Sequence, residues 1–281
     1  MSVQNFIPQI WAAQILLANQ KNQKALQIVN RNYEGLISQA GDRVKINTIS
    51  PISVSDYTKN STSITYSALN ANAQWLVLDQ AKYWSASVDD IDAAQSNVDI
   101  MAGAMAEASY RLSDAADSFI FGLHAGASVK TSLGTDTTPI EINSTNALDY
   151  MDEVSRRLSD ASCPAEGRFM AVPPWFYLKL QLAKITNEQS TNRALEEGYA
   201  DKILGFNIVV SNNISNSSST AYKILAGTTD AITYADGIVK TEALRLSTAF
   251  ADGLRGLHVY GGKVVKGDYL ACLTANEAAE S

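Results

Sequence analysis

Two histidines, His124 and His258, are the only imidazoles in the 281-residue chain, so proton-transfer chemistry near neutral pH has few places to run. His258 stands in the apolar run Leu257-His258-Val259-Tyr260, where a packed strand residue is expected. His124 follows the longest helical pattern, where an imidazolium suits the negative end of the helix dipole. Neither belongs to a recognisable nucleophile, base and orienter arrangement. Asp89, Asp90 and Asp92 present closely spaced carboxylates that a divalent cation would accept. No further donors accompany them, and they precede a helical pattern, so helix capping is the expected role. Gly256 to Lys263 superficially resembles a phosphate loop, but its glycine spacing is wrong and Val264 stands where a hydroxyl must reach magnesium. Gly261-Gly262 therefore reads as a tight turn. Met101 and Met105 read as core filler. Cys163 and Cys272 can make neither a disulfide framework nor a zinc site unaided, which fits folding in a reduced cytosol. No cofactor or metal is expected, and a catalytic alternative would have to combine Asp89, Asp90 and His258.

Composition narrows the class further. The chain is 46% hydrophobic and 18% charged, enough apolar material for a sizeable core. Its 22 basic and 29 acidic residues give a net charge of -7, spread along the sequence, which argues against a dedicated nucleic-acid binder. The opening Met1-Ser2-Val3-Gln4-Asn5 lacks the positive start of a signal peptide. The apolar stretch Ile7 to Leu17 is interrupted by Pro8, Gln9 and Gln14, and no run is long enough to span a membrane.

The elements that would carry these residues follow from periodicity. Ile7, Trp11 and Ile15 fall at helical spacing behind Pro8, predicting an amphipathic arm. From Arg43 to Val54 the period becomes two, with Val44, Ile46, Ile52 and Val54 alternating against polar positions. The wholly polar Thr58 to Ser63 reads as a hairpin tip, with a returning strand beginning at Ile64 and Tyr66. The fourteen or so residues from Arg43 to Asp56 reach on the order of 45 Å, long for a small domain. So few large apolar residues line this ribbon that it requires support, for which a neighbouring copy is the economical candidate. A long helix is predicted from Ile91 to Gly122, roughly 48 Å, with its apolar face on Val98, Met101, Met105, Ala108, Leu112, Ala115 and Phe119, and Gly103 as a weak point. A second helix places Ala147, Met151, Val154 and Leu158 on one face. Arg168 to Val172, Phe206 to Val210 and Tyr222 to Ala226 read as strands, Trp175 to Leu182 opens a helix, and the Ser- and Asn-rich Ser211 to Thr220 reads as an exposed loop. Antiparallel strands close the chain.

This order of arm, long polar-tipped hairpin, spine helix, mixed region and closing strands resembles the tailed-phage major capsid proteins of the HK97-like (Hong Kong 97) fold, an α+β class. The resemblance extends to local wording: Phe6-Ile7-Pro8-Gln9-Ile10-Trp11, Gly41-Asp42-Arg43-Val44-Lys45-Ile46-Asn47, Asp79-Gln80-Ala81-Lys82-Tyr83-Trp84, Val88-Asp89-Asp90-Ile91-Asp92, Ala115-Ala116-Asp117 and Gly256-Leu257-His258-Val259-Tyr260. It implies an N-terminal arm over 1–40, an extended β-hairpin E-loop over 41–88 and a P-domain with the spine helix over 89–142. A mixed α/β A-domain would follow over 143–238, with C-terminal strands returning to the P-domain over 239–281.

What the resemblance implies functionally is a non-enzymatic coat subunit that assembles through hexamers and pentamers into a shell around double-stranded DNA. Assembly contacts would come from Arg43, Lys45, Asp56, Tyr57, Lys59 and Tyr66 of the E-loop, and from Phe6, Ile7 and Trp11 of the arm. Lys59 is open to a cross-linking role, but a solvated charge that discourages sticky edges is the simpler reading. A separate scaffolding protein and a portal are the implied partners, with DNA contacted non-specifically, no membrane, and assembly in the host bacterial cytoplasm into the virion. An encapsulin-type shell around enzyme cargo is the alternative of the same fold.

Overall fold

The computed structural model describes residues 24–33, 43–49, 54, 56, 58–59, 71–89, 100–187, 202–217, 220–246 and 251–279. Along the chain come β1 (Arg43–Ile49), β2 (Ala71–Val77), β3 (Gln80–Asp89), α1 (Ile100–Gly122), β4 (Ile140–Ile142), α2 (Ala147–Asp160), β5 (Arg168–Val172) and α3 (Pro174–Asn187). There follow β6 (Lys202–Ile203), β7 (Phe206–Val210), β8 (Asn216–Ser217), β9 (Ala221–Thr228), β10 (Ile232–Arg245), β11 (Ala251–Val264) and β12 (Leu270–Glu277). Among the described residues the strands form three sheets. One runs β4-β12-β9-β5-β7-β6, with β8 on β9; one runs β10-β11-β3; the third is the ribbon β1-β2.

The largest sheet is covered on both faces, and the two-residue period of its strands decides which core each side chain joins. Phe169 and Ala171 of β5, Leu225 of β9 and Cys272 of β12 enter one apolar cluster, together with Ile120 and Phe121 of α1 and Tyr234 of β10. Met170, Val172, Ile224, Ala226 and Leu273 point the other way, against Met151, Val154 and Leu158 of α2 and Phe176 and Leu180 of α3. Double coverage is why β5 and β9 are buried along almost their whole length. Arg168, 4% exposed, ties α2 to β5 by donating to the carbonyls of Ser155, Cys163 and Pro164 and to the hydroxyls of Ser155 and Ser159. A buried guanidinium is tolerated there because its donors are spent on carbonyls and hydroxyls at the helix end.

Three expectations about the body need correction. The buried face of α1 is carried by Ser109, Leu112, Ser113, Ala116, Asp117 and Ile120, whereas Met105, Ala108, Ala115 and Phe119 are only half-buried. Small polar residues line this face because backbone elements pack close to it: Ser113 donates to the Ser109 carbonyl, and Asp117 accepts backbone N–H groups from another segment. Nor are Gly261 and Gly262 a turn. Both lie inside β11, opposite Ala235 and Tyr234 of β10, and a Cβ on Gly261 would meet the Val77 carbonyl oxygen at 2.1 Å. That glycine permits a close backbone approach. Finally, Ser211 to Thr220 is not wholly exposed, since Ser211 and Ile214 are buried and β8 pairs with β9. Of the long predicted helix, α1 accounts for Ile100–Gly122, and 91–99 lie outside the described residues.

The ribbon is antiparallel, from Arg43 opposite Val77 to Ile49 opposite Ala71. Its base is held by its own subunit. Ile46, Leu76 and Leu78 are buried with Ala235 of β10 and Val259 of β11, and the Gln74 side-chain amide donates to the Val265 carbonyl. The expectation that support must come from a neighbour fails for this part of the ribbon. β3, within the expected E-loop range, pairs along its whole length with β11, from Gln80 opposite Tyr260 to Asp89 opposite Ala251.

Candidate assembly interface

One face of the ribbon is spent on the subunit's own core, and the other is open. By alternation Arg43 and Lys45 of β1 share the outer face with Val77 and Trp75, their partners across the ladder. Trp75 is 42% exposed and Val77 40%, and both cations are exposed. The Arg43 guanidinium carbon lies 4.6 Å from the centre of the Trp75 ring, a cation–π contact across the ribbon. The patch is apolar in its middle and positive at its edge, although the whole chain is acidic. Trp75 and Val77 were missed among the expected contact residues. Their signal lies in the run Trp75-Leu76-Val77-Leu78: four consecutive apolar residues in a strand require cover on both faces.

Further along, Asp56 and Lys59 are exposed, and Lys59 sits in a turn, as expected of a hairpin tip. Val54, expected to continue a strand, is 95% exposed and lies outside any strand. Tyr57, Tyr66, Phe6, Ile7 and Trp11 lie outside the described residues.

A second open surface lies on the outer face of β10-β11-β3. Tyr83, 81% exposed, stands opposite Leu257, beside the Arg255–Glu242 ion pair, whose Nε to Oε2 distance is 2.8 Å. Together with Trp84 they border a groove of about 350 Å³. The Trp84 indole occupies the place a side chain on Gly256 would take, 2.3 Å from its ideal Cβ, so the glycine seats the ring.

The residues of the catalytic alternative do not meet. On β11, His258 pairs with Lys82 and Ala251 with Asp89, so His258 and Asp89 are separated by seven residues of strand, about 23 Å. His258 is fully buried, with Nε2 3.4 Å from Asp236 Oδ2 and its ring packed on Tyr260. Arg31 reaches the same Asp236 carboxylate at 3.5 Å. The His258 and Asp236 side chains are buried, as expected of a packed strand histidine, and the half-buried Arg31 joins the 24–33 segment to β10. Asp89 is the last residue of β3, and the segment 90–99 that follows it, with Asp90 and Asp92, lies outside the described residues. His124 stands directly after α1, as expected. Burial pushes its pKa down, and its Nδ1 lies 3.1 Å from the Phe121 carbonyl oxygen, a contact that partly offsets that effect. Cys163 and Cys272 are free and buried, and burial raises both thiols, which leaves them unreactive.

Comparison with known proteins places this geometry. The family described as phage capsid protein matches residues 73–275. Among solved structures, a chain from Mycobacterium phage Che8 is 28% identical, with a TM-score of 0.74 over 87% of this chain and 88% of that one. The capsid structure of cyanophage P-SCSP1u is 17% identical, with a TM-score of 0.70 over 90% and 87% of the two chains. A virus-like particle from Pyrococcus furiosus shares the fold at 12% identity, with a TM-score of 0.58 over 95% and 99%. A search of curated proteins returned no match. With the α+β architecture, the hairpin-bearing body and a family match over most of its length, the chain has the HK97-like capsid fold and belongs to the phage capsid protein family, as a shell-forming major capsid protein of tailed phages.

Proposed function

We propose that this subunit closes an icosahedral head through hexamers and pentamers and encloses double-stranded DNA. Arm, E-loop, P-domain, A-domain and C-terminal strands would divide the chain at 1–40, 41–88, 89–142, 143–238 and 239–281. The observation that carries the proposal is the outer face of the ribbon. A subunit that keeps a tryptophan and a valine about 40% exposed beside two cations, on a ribbon whose other face is already buried, holds a surface ready for another copy. Arg43, Lys45, Trp75 and Val77 form the described part of that contact, with Asp56, Tyr57, Lys59 and Tyr66 towards the tip and Phe6, Ile7 and Trp11 in the arm. The net charge of -7 suits a wall that contains DNA by pressure without gripping it, because strong phosphate neutralisation needs a cationic surface. A separate scaffolding protein and a portal would direct closure in the host cytoplasm before the subunit becomes part of the virion. The test is electron microscopy of the purified assembly, with its nuclease-protected nucleic acid quantified. Closed particles with five- and six-fold capsomers and protected DNA are expected in the infected host. A protein-filled particle would favour the encapsulin reading, and a lone monomer at tens of micromolar would overturn both.

A further inference from the structure

We propose that the Leu204 tip of the β6–β7 hairpin docks on the outer stripe of α3 in a second copy, a head-to-tail contact that repeats around a ring of subunits. This rests on the shell reading above and adds an interface separate from the ribbon. Leu178, Leu182 and Leu204 are the exposed leucines among the described residues, at 57%, 46% and 51%. Leu178 and Leu182 stand one turn apart on α3, and exposed Pro174 lies one turn before them. They form an apolar row along the outside of a helix whose inner side fills a core with Phe176 and Leu180. Leu204 is exposed for a different reason. The turn between Ile203 and Phe206 has two residues, Leu204 at φ +48° and Gly205 at φ +83°. Asn-Gly suits such a turn, whereas leucine is disfavoured in the left-handed region. Ile203 and Phe206 are buried and anchor the hairpin, so what the leucine adds is apolar surface at a projecting tip.

Stripe and tip stand too far apart to meet within one chain. In the large sheet β4, β12, β5 and β7 run parallel. α3 leaves the end of β5 and is anchored where these strands finish. Lys179 Nζ donates to the Ala278 carbonyl at 3.3 Å, just past β12, and the Trp175 ring packs on Tyr222 at the start of antiparallel β9, with centroids 5.5 Å apart. Leu204 lies where β7 starts, on the β6 edge. From β7 to β12 is three strand spacings, about 14 Å, and the length of β7 adds about 16 Å in the other direction. A two-fold contact of the stripe with itself would leave the tip in water. One head-to-tail contact covers both, and it closes a ring when the rotation between copies allows. The charges agree. Exposed Lys202 stands beside the tip, and exposed Glu277, its carboxylate 3.6 Å from Lys179 Nζ, stands beside the stripe, so the docked copies bring a cation to a carboxylate.

Paired cysteines in the full-length chain test the contact. Cys163 and Cys272 are buried, so Leu204→Cys combined with Leu178→Cys, or with Leu182→Cys, introduces the exposed thiols. Mild oxidation of assembled particles should give disulfide-linked ladders that end at five and six chains on a non-reducing gel, and each single variant should give none. Particles that assemble but yield no ladder from either pair would overturn the contact and leave the shell reading standing. A native chain that forms no particles would overturn both. Should the cysteine pairs not assemble, Leu204→Asn decides. Asparagine suits the turn, so the melting temperature of the separate subunit should not fall. Each ring contact should weaken about tenfold, read as a rise of that order in the protein concentration at which particles first form. An unchanged threshold concentration in Leu204→Asn would sink the proposal.

Discussion

The seven-stranded sheet and the β1-β2 ribbon are built from similar residues and end in opposite situations. In the sheet, alternation sends side chains into two cores, and both are closed by the chain's own elements: α2 and α3 on one face, α1 and β10 on the other. In the ribbon, alternation again makes two faces, but Ile46 and Leu76 find β10 and β11 while Trp75 and Val77 find nothing among the described residues that buries them. The first region is finished as a folding unit. The second is half-finished, and its incomplete half is the surface proposed above for contact between copies.

That contrast breaks most visibly at Phe206, fully buried on β7 between the sheet and its helices. Phe206→Ala deletes a ring that no neighbour outside the subunit can replace, and should cost about 3–5 kcal/mol of global stability. Denaturant unfolding of the unassembled subunit measures it. A loss below 1 kcal/mol would mean that this core is less self-sufficient than its burial indicates.

A smaller effect is expected where the two regions touch. Gly261 lets the Val77–Leu78 backbone pass directly over β11, and a methyl group there would collide with main chain, which cannot rotate out of the way. Gly261→Ala should cost about 1–3 kcal/mol. The damage should be local: proteolysis within 50–70 should speed up while the thermal transition of the body moves little. Uniform loss across the molecule would show the ribbon and body to be one cooperative unit.

The same contrast governs what could be read from the sequence. Helices α2 and α3 and strands β5, β7 and β9 were legible because a period is visible wherever an element is buried on a stripe or along its whole length. The ribbon was legible as a hairpin from its alternation and polar tip. What escaped are contacts between segments distant in sequence. Gly261-Gly262 has the composition of a turn, and only the crossing of β2 over β11 makes it a strand. Ser109, Ser113 and Asp117 look like the wet side of a helix, because hydrogen bonds to the Lys24 and Ala25 backbone and to the helix's own backbone leave no mark on hydropathy. The outer ribbon patch was half-seen. Its charges, Arg43 and Lys45, stood out, whereas Trp75 and Val77 passed as ordinary strand residues, since a sequence does not say which face of a doubly apolar strand its own chain will cover.

The smallest effect on the isolated chain is therefore the sharpest test of the comparison. Trp75→Ser combined with Val77→Ser removes the apolar centre of the open face while leaving Ile46, Leu76 and Leu78 in place. In the separate subunit the loss is the Arg43 contact and some partly exposed area, under about 1 kcal/mol. In a shell the same deficit recurs at every copy, and weak interfaces that close only collectively do not tolerate it. An almost unchanged melting temperature alongside a many-fold drop in particle yield, read by calorimetry and electron microscopy on the same preparation, is the expected pair of results. If particles form at normal yield, the exposed tryptophan has another purpose and the contact between copies lies elsewhere. If the subunit itself melts, the outer face is not spare surface, and the ribbon is as finished as the sheet.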